Sequence, residues 1–279
     1  MNINKIIPYL FPLAFLLSCE EDAVTTNNFV VEAYLFANEP VTDVAVTEIV
    51  PFESSDQAAE PISEAAVSIV RGNEQFALQY HPETSKYRYT GDDLKIEVNE
   101  HYRIEVNVGD RAASAETIVP EATQGLAISE EQLVIPKLML QPGLGQQIED
   151  LLRNTRLTVT WDNPDDQLHF IVIESTSNTQ DPILPDNFPS EGGNLLRAFR
   201  FISEPTIETS FEILGLSLET YGAHKVKVYR VNQEYADLFE NQRQDSRDLN
   251  EPPSNIANAL GIFSAFASDS IFFDVVREN

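Results

Sequence analysis

The chain has 279 residues, with 45 acidic against 18 basic side chains and a formal charge of −27. A body so acidic is repelled by nucleic acid and by anionic membrane surfaces, which excludes DNA and RNA as partners. An apolar share of 42% suffices for real hydrophobic cores and sets the chain apart from disordered ones.

The first element is a leader. Lys5 gives a short positive start, and Ile6 to Leu17 is an almost unbroken apolar run broken only by Pro8 and Pro12. The run is too short for a stable bilayer span and suits the core of a secretory signal. Leu16, Leu17 and Ser18 then lead into Cys19, the only cysteine. This is the pattern of a lipobox: cleavage before Cys19, with diacylation of its sulfur and acylation of the new amino end. A lone cysteine has no partner for an internal disulfide, and lipidation accounts for it. The competing readings are an uncleaved anchor helix and an ordinary signal with an incidental cysteine. Cleavage removes Lys5 and no acid, leaving a charge of −28 on the mature chain. Two or three acyl chains anchor firmly, because each buried methylene contributes about 0.8 kcal/mol and one chain alone is marginal.

Residues 19–28 form a lipidated acidic tether. Glu20, Glu21 and Asp22 follow the cysteine directly, then Thr25-Thr26-Asn27-Asn28. The acidic cluster resembles the signal that sends Bacteroidota lipoproteins to the outer face of the outer membrane. The plain alternative is a solvated tether.

From Phe29 the pattern is all-β. Phe29 to Phe36 predicts a first strand and Val44 to Val50 a second. Alternation continues through Val67 and Ile69, through Phe76, Leu78 and Tyr80, through Tyr87 and Tyr89, and through Tyr102, Ile104, Val106 and Val108. Ala112 to Val119 closes the series before Pro120. Period-two alternation with turn signals every eight to twelve residues predicts an Ig-like β-sandwich over 29–120. Residues 121–154 read as a connector with a short helix around Gly145 to Arg153.

A second sandwich is expected over 155–279. Leu157, Val159 and Trp161 alternate with polar residues, a turn follows, and His169 to Glu174 is the next strand. That order resembles fibronectin-type-III domains. Leu195 to Ile202, Thr206 to Ile213, Lys225 to Val231 and Ile271 to Val276 are further strands, with a short helix over Glu234 to Gln244. The expected architecture is therefore two β-sandwiches with one or two short helices.

Chemistry-bearing motifs are sparse. Asp162, Asn163, Asp165 and Asp166 could offer oxygens to calcium, but they lack the EF-hand spacing, and Asx and Pro residues are what any tight turn needs. The histidines, His81, His101, His169 and His224, form no metal-binding pair and read as ordinary strand or turn residues. No nucleophile elbow and no phosphate-binding glycine loop occurs, so neither an enzyme nor a cofactor is expected. Eight tyrosines in strands and the second helix, among them Tyr34, Tyr229 and Tyr235, could make a binding surface, although packing is the commoner role.

Ser254 to Phe266 is the most distinctive internal stretch: apolar, rich in small residues and interrupted by Gly261. It suits a buried loop or bulged strand where backbones approach closely, with Ile262 and Phe263 in the second core. Here the chain resembles a family of Bacteroidota lipoproteins built on a domain of unknown function and often encoded beside TonB-dependent receptors. Those proteins carry a lipobox cysteine, a first strand like V-V-E-G-W-I, a strand like V-x-G-A-x-V-x-I and a late motif like N-I-x-x-x-L-G-I-F-x-A. The counterparts here are Val30 to Leu35, Ile62 to Ile69 and Asn255 to Ala265, the last including Asn255, Ile256, Leu260, Gly261, Ile262 and Phe263. Ala33 and Ala259 stand where the family often has glycine. The resemblance covers nearly the whole mature chain and implies an outer-membrane lipoprotein serving a TonB-dependent transporter. It supplies no catalytic residue. The alternatives are a β-sandwich hydrolase acting on glycan or peptide, and a structural or adhesive surface module.

Overall fold

A computed structural model of the chain describes residues 29–50, 58–138, 142–177, 181–184, 204–242 and 254–278. The described chain is mainly β, with two short α-helices and a single 3-10 turn at Gly215–Ser217. Its strands are β1 (Phe29–Phe36), β2 (Asp43–Glu48), β3 (Ala66–Arg71), β4 (Glu74–Ala77), β5 (Gln79–His81), β6 (Lys86–Arg88), β7 (His101–Val108) and β8 (Arg111–Ile118). Then come β9 (Gln124–Ile128), β10 (Gln132–Ile135), helix α1 (Leu144–Asn154), β11 (Arg156–Asp162), β12 (His169–Ser175), β13 (Ser210–Leu214), β14 (Gly222–Val231), helix α2 (Gln233–Gln242) and β15 (Leu260–Arg277).

One long sheet runs β12-β14-β15-β1-β2-β6-β5, with β10 also on β15. Two smaller sheets, β4-β3-β7-β8 and β13-β11-β9, complete two sandwiches. The alternation that predicted β1 has a direct physical meaning. Phe29, Val31, Ala33 and Leu35 are fully buried in the first core, while Glu32 on the opposite face is exposed. Tyr87 and Tyr102 peg this core. Each sends its hydroxyl to a backbone carbonyl, of Ile62 at 2.7 Å and Lys95 at 2.8 Å, and receives a backbone N–H in return.

The element that joins the two sandwiches is β15. Its first half pairs parallel with β1, from Val30↔Leu260 to Phe36↔Phe266. Its second half pairs antiparallel with β14, from Val231↔Phe266 to Gly222↔Val275, and its end pairs parallel with β10. Phe263, Ala265 and Ala267 enter the first core, and Phe273 and Val275 the second. The two cores thus sit side by side on one face of a continuous sheet.

Three expectations change accordingly. Phe263 is buried, but in the first core, because its strand lies against β1. The 121–154 stretch holds α1 as expected but also two strands, β9 and β10, which pair with β11 and β15. The last strand, expected over Ile271 to Val276, extends over 18 residues. The expected strand Leu195 to Ile202 lies outside the described residues, as do Leu16 to Asp22 with the lipobox and the acidic tether.

The late motif turns the corner between the sheets of the first sandwich. Ala257 bridges to Ser114 of β8, its N–H donating to Ser114 O at 2.8 Å. Asn258 then turns at φ 63° and the chain enters β15 through Gly261 at φ 117°. A Cβ on Gly261 would stand 2.0 Å from the Val31 carbonyl oxygen, so only glycine fits this approach of two backbones.

Candidate functional site

Where the two sandwiches meet, a cleft of about 210 Å³ opens on the core-facing side of the long sheet. One wall is the segment leading from β8 into β9, Glu121 to Gln124, pinned by Thr123, whose hydroxyl donates to Val228 O at 2.9 Å. The floor is the cross-strand pair His169 on β12 and Arg230 on β14. The other wall is the end of β11 and the turn that follows it, which contribute Asp162, Asn163, Pro164, Asp165 and Gln167.

The acidic turn divides into two roles. Asn163 builds the turn: its Nδ2 donates to Gln167 O at 3.0 Å and Ile207 O at 2.8 Å, and its Oδ1 accepts from Gln167 N at 2.8 Å. Asp166 supplies the positive φ of 50° that the reversal needs. Asp162 and Asp165 bring carboxylates to the cleft lining. Room for the Asp162 carboxylate comes from Gly125, where a Cβ would fall 2.3 Å from Oδ2. Among the described residues, no group of three or more His, Cys, Asp or Glu side chains is placed to hold a metal ion.

Arg230 is the unusual member. Its side chain is only 23% exposed, and its ion-pair partner Glu121 stands 4.0 Å from Nη1, at the outer limit of such a pair. Its Nε is buried without a hydrogen-bond partner. A largely buried cation normally has its N–H groups satisfied, and this one is satisfied only in part. Beside it, His169 packs against Trp161 with ring centroids 5.7 Å apart. Burial, joined by repulsion from Arg230, holds the His169 pKa below its usual value and keeps the ring neutral.

The opposite face of the sheet carries an aromatic layer. Phe266 stacks on Phe36 at 5.1 Å and meets Tyr235 of α2 edge-on at 5.0 Å, while Phe170 stacks on Tyr229 at 4.7 Å. Tyr34 meets Tyr235 at 6.1 Å. Burial, then the nearby Glu32 carboxylate, raises the Tyr34 pKa well above the ordinary tyrosine value. This layer fastens α2 to the sheet, so these tyrosines serve packing. His224 is likewise a packed residue, stacked on Phe273 at 5.3 Å.

Sequence reasoning singled out Asp162 and Asp165, but not Arg230 or His169, as members of one site. Arg230 sits inside a strand, and only the pairing of β12 with β14 brings it to His169. The late-motif residues gather at the first-sandwich corner, away from the cleft lining.

Residues 17–271 match a family described only as a domain of unknown function, DUF4249. The chain belongs to the DUF4249 family. No curated protein matches this DUF4249 chain. Among solved structures it is similar to the FN1–FN3 domains of chicken CNTN1, at 11% identity and a TM-score of 0.26, covering 73% of this chain and 60% of that one. It is also similar to a Dscam structure on isoform specificity (12% identity, TM-score 0.17, 89% and 44% covered). A second is the four N-terminal Ig domains of Dscam1 isoform 1.9 (11% identity, TM-score 0.17, 90% and 46% covered). The chain spans between 44% and 60% of the length of these structures. Among the described residues, no helix is long and apolar enough to cross a membrane.

Proposed function

We propose that this DUF4249 protein is a non-enzymatic lipoprotein of the outer membrane, held by acyl chains on Cys19 and displayed at the cell surface, where it binds a ligand and serves a TonB-dependent transporter as an accessory. The observation that carries the binding role is the junction cleft, where Arg230 is largely buried and incompletely paired between two sandwiches that share a sheet. A site built on a continuous sheet is held at fixed geometry, which favours recognition without the ordering cost of closing a hinge. Cys19 at the end of an apolar leader, followed by Glu20, Glu21 and Asp22, supports the anchored location.

The test is co-purification from solubilised membranes against a named receptor. An affinity-tagged full chain is expected to bring down a TonB-dependent receptor in defined stoichiometry. A tagged chain that remains membrane-bound and brings down no such receptor overturns the accessory role.

A further inference from the structure

We propose that the junction cleft takes a compact zwitterion, a free α-amino acid in chemical class, with its carboxylate on Arg230 and its ammonium toward Asp162 and Asp165. This rests on the binding part of the reading above and deepens it. The volume of about 210 Å³ lies below the roughly 300–1,000 Å³ typical of pockets for drug-sized ligands, so the occupant is small. The guanidinium end of Arg230 remains partly exposed in the cleft lining, with Glu121 only at 4.0 Å from Nη1, and so can take an acceptor such as a carboxylate. The same cleft is lined by the carboxylates of Glu121, Asp162 and Asp165, on a chain of net charge −27. Those charges repel a dianion such as phosphate, and Arg230 repels a bare cation. A ligand carrying both charges on groups attached to one carbon answers both walls at once. His169, kept neutral by burial, adds no competing charge at the floor.

The experiment is calorimetric titration of the detergent-solubilised full chain with glycine and alanine. Acetate, methylammonium and inorganic phosphate serve as single-charge and anionic controls. Saturable binding of the amino acids, at least tenfold tighter than acetate or methylammonium, is expected. Arg230→Gln should abolish it, and Asp162→Asn with Asp165→Asn should weaken amino-acid binding tenfold or more while leaving the weak acetate response undiminished or strengthened, because two anion-repelling charges are removed. Arg230→Lys, which keeps the charge and loses the planar fork, should bind at intermediate strength and guards against a fold defect in the Gln variant. Equal response to acetate and glycine, preference for phosphate, binding retained in Arg230→Gln, or no response to any probe would overturn the proposal. Those outcomes leave receptor co-purification standing, whereas loss of the receptor with amino-acid binding intact overturns only the accessory role.

Discussion

The side-chain amide of Asn255 grips both backbone groups of Phe263: Nδ2 donates to its carbonyl at 2.7 Å, and its N–H donates to Oδ1 at 2.9 Å. At this point β15 has β1 on one side, and β14 does not reach it until Phe266. Asn255 thus stands in for a missing strand, which explains an asparagine eight residues ahead of a buried phenylalanine. Asn255→Ala should leave a donor and an acceptor unsatisfied, at about 1–3 kcal/mol each when buried. Asn255→Asp keeps the acceptor only and should fall between. Urea denaturation of the solubilised chain checks the order.

Gly261→Ala should be far more damaging. Its Cβ would lie 2.0 Å from Val31 O, and φ of 117° is foreign to an L side chain. The clash is with backbone, which relaxes only by parting β1 from β15. A loss at or beyond the exceptional range of about 4–5 kcal/mol is expected, seen as failure to recover folded protein. A melting temperature within a few degrees of wild type would contradict the close approach.

Phe263→Ala tests the assignment of β15 to the first core. Truncating a fully buried phenylalanine costs about 3–5 kcal/mol. Because Phe263 shares its core with residues of β1, β3 and β7, hydrogen exchange should accelerate first in those strands. Preferential loosening of β11 and β13 would return Phe263 to the second core.

These residues also show what the sequence could carry. The strand Phe29–Phe36 was legible because one face is buried and the other partly open, which writes a period of two. Leu260 to Phe266 was not, because it is covered on both faces, by the first core and by the aromatic layer, and so reads as a plain apolar run. Its parallel partner lies more than two hundred residues earlier, and nothing local encodes that register. The turn role of Asn163 and Asp166 was legible in their residue types. Arg230 as a cleft residue was not, since its significance lies in the partners it lacks.

Mild acid should destabilise the fold through its buried histidines. His169 and His224 are both buried, each with Nδ1 2.9 Å from the carbonyl two residues back, and burial lowers both pKa values. For His169 the Arg230 charge adds to the lowering, and for His224 Asp274 partly opposes it. The unfolded chain therefore takes up protons first. Stability is full above the ordinary histidine value of about 6.5 and falls as pH drops from there toward the depressed folded values. Melting temperatures between pH 7.5 and 5 should show this decline. His169→Gln with His224→Gln should flatten the slope, whatever it does to the plateau.

The central claim is that the protein works from a membrane through Cys19. Labelling cells that produce the full chain with a clickable fatty acid, wild type beside Cys19→Ala, tests it most directly. The wild type should take the label and sediment with membranes. The variant should take none and retain its leader. Label entering Cys19→Ala at the wild-type level, or unlabelled wild type in the soluble fraction, would contradict the account.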